Sequence, residues 1–198
     1  MKKYIGLVLV AMSGCILTVN AQQSFSYKNP LLPTELRVND LLGRMTLEEK
    51  IAQIRHLHSW DVFDGQILNQ EKLDKMCGGI GYGFFEGFPL TAASCRKTFR
   101  EIQTYMVEKT RLGIPGFPVA ESLHGVVHEG TTIYPQNIAM GSTFNPELAY
   151  EKTKHIAGEL NTMGVKQVLA PCIDVVRDLR WGRVEESFGE DPFLCSKM

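Results

Sequence analysis

The chain has 198 residues, 44% hydrophobic and 22% charged, the balance of a soluble globular protein. Its formal charge is −1, and without Lys2 and Lys3 it carries 19 basic against 22 acidic side chains, or −3. No basic patch is present, which argues against nucleic acid or an anionic membrane surface as a partner.

Residues 1–21 read as a signal peptide. Lys2 and Lys3 form a positive start, Ile5 to Val19 is largely apolar, and Val19-Asn20-Ala21 offers small residues for cleavage before Gln22. Ser13, Gly14 and Thr18 interrupt the apolar stretch, which falls short of the roughly 20 residues of a membrane span. Met12-Ser13-Gly14-Cys15 is similar to a lipobox, but Met at its first position and the apolar residues after Cys15 argue against lipidation. The expectation is export to the periplasm or medium, with no membrane anchor after cleavage. Cys77, Cys95, Cys172 and Cys195 then meet an oxidising compartment, where two disulfides in three pairings or buried free thiols are both open.

Residues 22–33 are read as a lead-in linker without periodicity, and 34–198 as one partial domain. Val38, Leu41, Leu42 and Met45 lie on one helical stripe. Thr46 and Glu49 make a capping box for a second helix carrying Leu47, Ile51 and Ile54. His56 and His58 are expected on the end of that helix, where two residues at i and i+2 share no face. Gly78 to Phe85 alternates glycine with apolar residues. It fits no phosphate-loop pattern and reads as a first strand. Thr91 caps a helix with Ala92, Cys95, Phe99, Ile102 and Met106 on its apolar side. A short strand spans Phe117 to Ala120, leaving Glu121 at its carboxyl end. Asn145 caps the next helix with Pro146 at its first position and Gly164 as its stop, and a third strand covers Val165 to Leu169.

This alternation gives an α/β fold with parallel strands. A closed barrel takes around 250 residues, and only 177 follow Ala21. Leu194 to Met198 also carry no stop signal. The chain is therefore expected to be the amino-terminal portion of a (β/α)8 barrel, incomplete in itself, with open sheet edges.

The last strand leads into a loop dense in Asp174, Arg177, Asp178, Arg180, Trp181 and Arg183. Planar guanidinium forks beside carboxylates and a flat aromatic ring suit a neutral polyhydroxylated ligand such as a sugar ring, although the same composition also makes a structural ion network. His124 and His128 imitate metal-ligand spacing. Gly125 stands where a zinc-protease helix needs Glu, so no metal or other cofactor is expected. Ser122 sits in no nucleophile elbow.

Four segments carry a resemblance: RVNDLLGRMTLEEKIAQI at 37–54, RLGIPGFPVAESLHGV at 111–126, YPQNIAMGSTFNPEL at 134–148 and RDLRWGRVEESFGEDPFL at 177–194. In order and spacing they are similar to glycoside hydrolase family 3. The resemblance implies a (β/α)8 barrel and an exo-acting, retaining β-glycosidase of the β-glucosidase type, with β-xylosidase or a non-catalytic carbohydrate-binding remnant as alternatives. Its substrate is a β-glycoside or oligosaccharide. Carried over by motif, Glu121 accepts hydrogen bonds from hydroxyls far from the anomeric carbon, and Arg183 donates from the opposite side. Arg180 ties the loop internally, Glu186 holds the Arg183 fork, and His124 belongs to the same supporting set. The resemblance places the nucleophile and the acid/base beyond Met198, in the missing carboxyl-terminal part of the enzyme. Glu185, Glu186, Glu190 and Asp191 are accordingly given no catalytic role.

Overall fold

The computed structural model describes residues 26–87 and 91–198, so the proposed signal at 1–21 lies outside the described residues. Contacts divide the chain into two units, Met1–Arg44 and Met45–Met198. In the first, a 3-10 turn at Ser26–Lys28 precedes helix α1, Thr34–Arg44. The Tyr27 amide donates to Asp40 Oδ2 at 3.0 Å, and Arg37 Nε donates to the Tyr27 carbonyl at 2.9 Å. The segment read as a plain linker thus contains a turn pinned to the helix that follows it.

The second unit begins with α2, Leu47–Gln53, whose capping box forms as its sequence predicts. Thr46 Oγ1 accepts from the Glu49 amide at 3.2 Å, and Glu49 Oε2 accepts from the Thr46 amide at 2.8 Å. There follow β1 (His56–His58), α3 (Ser59–Val62), the antiparallel pair β2 (Phe63–Asp64) and β3 (Ile67–Leu68), and α4 (Gln70–Cys77). Next come β4 (Phe84–Glu86), α5 (Ala92–Lys109), β5 (Phe117–Glu121), α6 (Asn137–Gly141), α7 (Pro146–Met163), β6 (Gln167–Leu169) and α8 (Pro192–Lys197).

Strands β1, β4, β5 and β6 form one parallel sheet in that order. Parallel neighbours joined in sequence order through helices are the wall of a (β/α)8-type barrel. Two expectations are corrected. His56 and His58 lie in the first strand of the sheet, not on a helix end, so the described residues hold four parallel strands where three were expected. The glycine-rich run at 78–85 is mostly approach, and pairing begins only at Phe84. Its close crossing needs Gly83: a β-carbon there would stand 1.8 Å from the Gln53 carbonyl oxygen.

The helix signals locate α5 and α7 well. Thr91 Oγ1 accepts from the Ser94 amide, Asn145 Oδ1 from the Leu148 amide, and Gly164 closes α7 with φ +91°. One face of the sheet turns Leu57 and Phe85 into a core with Cys95, Phe99, Ile102 and Met106 of α5. Phe85 meets Phe99 edge-on with centroids 5.7 Å apart. Burial of each such side chain is worth about 1.5–3 kcal/mol. By the two-residue alternation of strands the other face carries His56, His58, Phe84, Glu86, Phe117, Val119 and Glu121. That face looks toward the interior of a barrel, and Phe117 on it is half exposed.

All four described cysteines are free. Burial raises the Cys77 thiol to about 12 and the Cys95 thiol to about 11, so neither forms appreciable thiolate near neutrality. Both are expected to resist alkylation in the native protein and to react promptly once it is denatured, as mass spectrometry of iodoacetamide-treated samples would read.

Candidate functional site at the carboxyl rim of the sheet

Glu121 is the last residue of β5, exposed at the carboxyl end of a parallel strand, where a barrel gathers its ligand-contacting groups. Pairing with Leu169 fixes it beside the end of β6. The chain then turns through a loop closed on itself. The Tyr134 amide donates to the His124 carbonyl at 2.7 Å, and His124 Nδ1 stands 3.2 Å from the Tyr134 carbonyl. A carbonyl only accepts, so that second contact needs the proton on Nδ1. Gly125 permits the closure: at φ +111° a β-carbon there would stand 2.3 Å from the Thr132 carbonyl oxygen. His124 is therefore engaged with the loop backbone, and no cluster of metal-binding side chains occurs among the described residues.

Arg183 follows β6, in the irregular stretch before a 3-10 turn at Val184–Glu186. Its Nε donates to Glu186 Oε2 at 2.7 Å, and its Nη2 stands 2.5 Å from the same oxygen. The Glu186 carboxylate holds Arg183 above the ordinary arginine range, and smaller contributions come from Cys172 and Glu121. Arg180 pairs with Asp178 two residues away and points to solvent, its side chain 90% exposed. Trp181 lines a shallow 180 Å³ hollow with Asp174, Val175, Arg177 and Asp178. Chemically, the rim offers an acceptor-only carboxylate and a donor-only fork, which between them complement the hydroxyls of a neutral ligand.

A support for this loop went unread in the sequence. Lys152 of α7 is buried, and its Nζ donates to Asn137 Oδ1 at 2.7 Å. Asn137, 2% exposed, passes its amide Nδ2 to the Glu186 carbonyl at 2.9 Å. Lys152, Asn137 and Glu186 form a relay that fixes the turn carrying the partner of Arg183. Burial lowers the Lys152 pKa, as expected for an ammonium removed from water. The signal was present: Lys152 falls on the stripe Ala149, Ile156 and Leu160 of α7, where a buried cation needs a partner. Asn137→Ala removes that partner and also uncaps the Glu186 carbonyl. It is expected to lower stability by about 2 kcal/mol, measured as a shift in the urea midpoint.

Comparison with known proteins adds the following. Residues 46–198 match the family model described as glycosyl hydrolase family 3 N terminal domain. A putative beta-xylosidase of Formosa agariphila is 34% identical over 181 residues, covering 89% of this chain and 24% of that protein. A periplasmic beta-glucosidase of Salmonella typhimurium is 31% identical, covering 99% of this chain and 24% of its own. Among solved structures, a b-glucosidase from Erythrobacter marinus aligns with TM-score 0.74 at 30% identity, over 89% of this chain and 23% of that one. The beta-glucosidase from Listeria innocua in complex with glucose aligns with TM-score 0.65 at 32% identity, over 82% and 22%. The chain spans about a quarter of the length of these relatives.

Proposed function

This chain belongs to glycosyl hydrolase family 3, and on that premise we propose that it supplies the sugar-holding rim of an exo-acting, retaining β-glycosidase acting on β-glucosides or β-xylosides. One observation supports the reading: Glu121 ends a parallel strand and pairs in register with Leu169, the last residue of the neighbouring strand, whose following loop carries Arg183. Glu121 accepts from two neighbouring hydroxyls of a terminal pyranose, and the ionised acceptor makes these bonds stronger than neutral ones. Arg183, pre-oriented by Glu186, donates to hydroxyl oxygens from the other side. Holding the ring by several directed bonds fixes its anomeric carbon for attack, which is where positioning accelerates a reaction.

Retaining hydrolysis needs two carboxyl groups roughly 5 Å apart, one nucleophile and one acid/base. Neither is assigned to a residue of this chain. Export through residues 1–21 belongs to the same proposal. It is supported by the Lys2-Lys3 start and the apolar run that follows, and by the periplasmic beta-glucosidase among the relatives. No helix among the described residues is long and apolar enough to cross a membrane.

The test is calorimetric titration of the chain with glucose and xylose beside a nitrophenyl-glycoside assay. Binding without turnover is expected. Absence of binding by either sugar overturns the site, and turnover by these 198 residues overturns the view that the catalytic pair lies elsewhere.

A further inference from the structure

Helices α5 and α7 converge on a hollow near the amino-terminal end of the sheet, the end away from Glu121. Pro118 near the start of β5 and Lys166 just before β6 both line it, joined by the Lys166 amide, which donates to the Pro118 carbonyl at 2.9 Å. Glu121 closes the other end of β5, about 10 Å further along the strand. Gly164 lets the end of α7 come close to α5: a β-carbon there would stand 3.5 Å from the Phe99 ring and 3.9 Å from the Arg96 α-carbon. The hollow has a volume of about 320 Å³ and carries three cationic side chains, Arg96 and Arg100 of α5 and Lys166. Arg96 and Arg100 stand at i and i+4 on one helix face, where like charges cost about 0.2–0.5 kcal/mol instead of supporting the helix. None of the three is paired with a carboxylate among the described residues. Lys166 Nζ reaches the Asn161 side-chain oxygen at 3.4 Å, while of the nearby acids Glu101 faces Lys97 and Glu159 accepts from Thr132. The fold thus assembles a basic site in a chain whose formal charge is −1. No run of basic residues announces it, because Arg100 and Lys166 belong to different strand-helix units.

We propose that this hollow is an oxyanion site, which holds the phosphate or sulfate group of an anionic ligand between Arg96, Arg100 and Lys166. A guanidinium presents two parallel N–H donors that match two oxygens of a tetrahedral anion, and such charge-assisted pairs are about twice as strong as neutral hydrogen bonds. Lys166 adds a compact charge with three donors from the other wall. The carboxyl end of α7 also borders the hollow, and the negative end of its dipole opposes an anion. That end amounts to about half a charge, and its Leu160 and Asn161 carbonyls already accept from the Gly164 amide. Three full positive charges outweigh it. Paired donors need paired oxygens, so a tetrahedral oxyanion fits where a spherical chloride does not. The site is independent of the sugar-holding reading, since Glu121 lies at the opposite strand end and takes no part in it.

The test is calorimetric titration of the chain with sodium phosphate and with sodium sulfate, at an ionic strength held constant with sodium chloride. Saturable binding of both is expected. Arg96→Ala and Arg100→Ala should each weaken it about tenfold, the loss of one charge-assisted contact. Lys166→Ala should weaken it several-fold, Arg100→Glu should abolish it, and Glu121→Ala should leave it unchanged. All three cationic side chains are exposed, so the variants should keep the wild-type circular dichroism. Should a helix variant lose its fold, Lys166→Ala, which lies outside both helices, decides the matter. Tighter binding of phosphate than of sulfate at pH 7.5 assigns the site to a phosphate group and the reverse order assigns it to a sulfate group, and either upholds it. No saturable binding by the wild type, an equal response to chloride alone, or binding that survives Arg96→Ala and Arg100→Ala combined overturns the site.

Discussion

Replacing Glu121 by alanine should weaken glucose binding by about 100-fold or more, the largest effect expected of any substitution at the rim. Two hydrogen bonds from hydroxyls to an ionised acceptor are lost, each worth about 1.5–3 kcal/mol, and about 3 kcal/mol in total already corresponds to more than two decades in the dissociation constant. Glu121 is exposed at a strand end, and its side chain makes no hydrogen bond among the described residues, so the fold should tolerate the change. Arg183→Lys provides the contrast. It keeps the cation but loses the planar fork that reaches both Glu186 and a ligand, and should cost about tenfold. Titration calorimetry of the three proteins checks both numbers. An unchanged affinity in Glu121→Ala would remove this carboxylate from the site.

The second large effect concerns folding. Arg111→Ala should destabilise the protein by about 3 kcal/mol, because it strands a buried carboxylate. Glu49 is 4% exposed and receives the Arg111 guanidinium through Nε at 2.7 Å, joining α2 to the approach of β5 across 62 residues. The Arg111 hydrogen bond holds the Glu49 carboxyl below its ordinary 4.5, against the opposing pull of burial, with further help from the Thr46 amide. A carboxyl whose folded pKa is depressed stabilises the fold fully above its unfolded value. That stabilisation is lost as pH falls through the folded value. The difference between wild type and Arg111→Ala should therefore be constant at and above neutrality and should shrink below about pH 4.5. Urea melts at pH 7.5, 5 and 3.5 measure it, and a difference that grows in acid would contradict the ion pair's role.

Local signals carried the helices. Thr46 with Glu49, Thr91, and Asn145 with Pro146 each announce a helix start by satisfying backbone donors from within a few residues, so nothing distant is needed to read them. β1 was invisible for the opposite reason. His-Leu-His is three residues long, without β-branched side chains, and becomes a strand only because Phe84–Glu86 pairs with it. The same holds for Gly83, whose missing side chain makes sense only once the Gln53 carbonyl is known to lie against it.

The sequence by itself determined the starts of α2, α5 and α7, the parallel α/β class and the membership in a sugar-hydrolase family. These depend on caps, on periodicity and on motifs contained within short windows. Only the tertiary structure decided which polar groups meet. Lys152 reaches Asn137, Arg111 reaches Glu49, and Glu86 lies between two histidines. A chain read in order cannot announce such meetings, because sheet order and helix packing bring residues far apart in sequence within a few ångströms. Desolvation then makes each pairing, or its absence, matter.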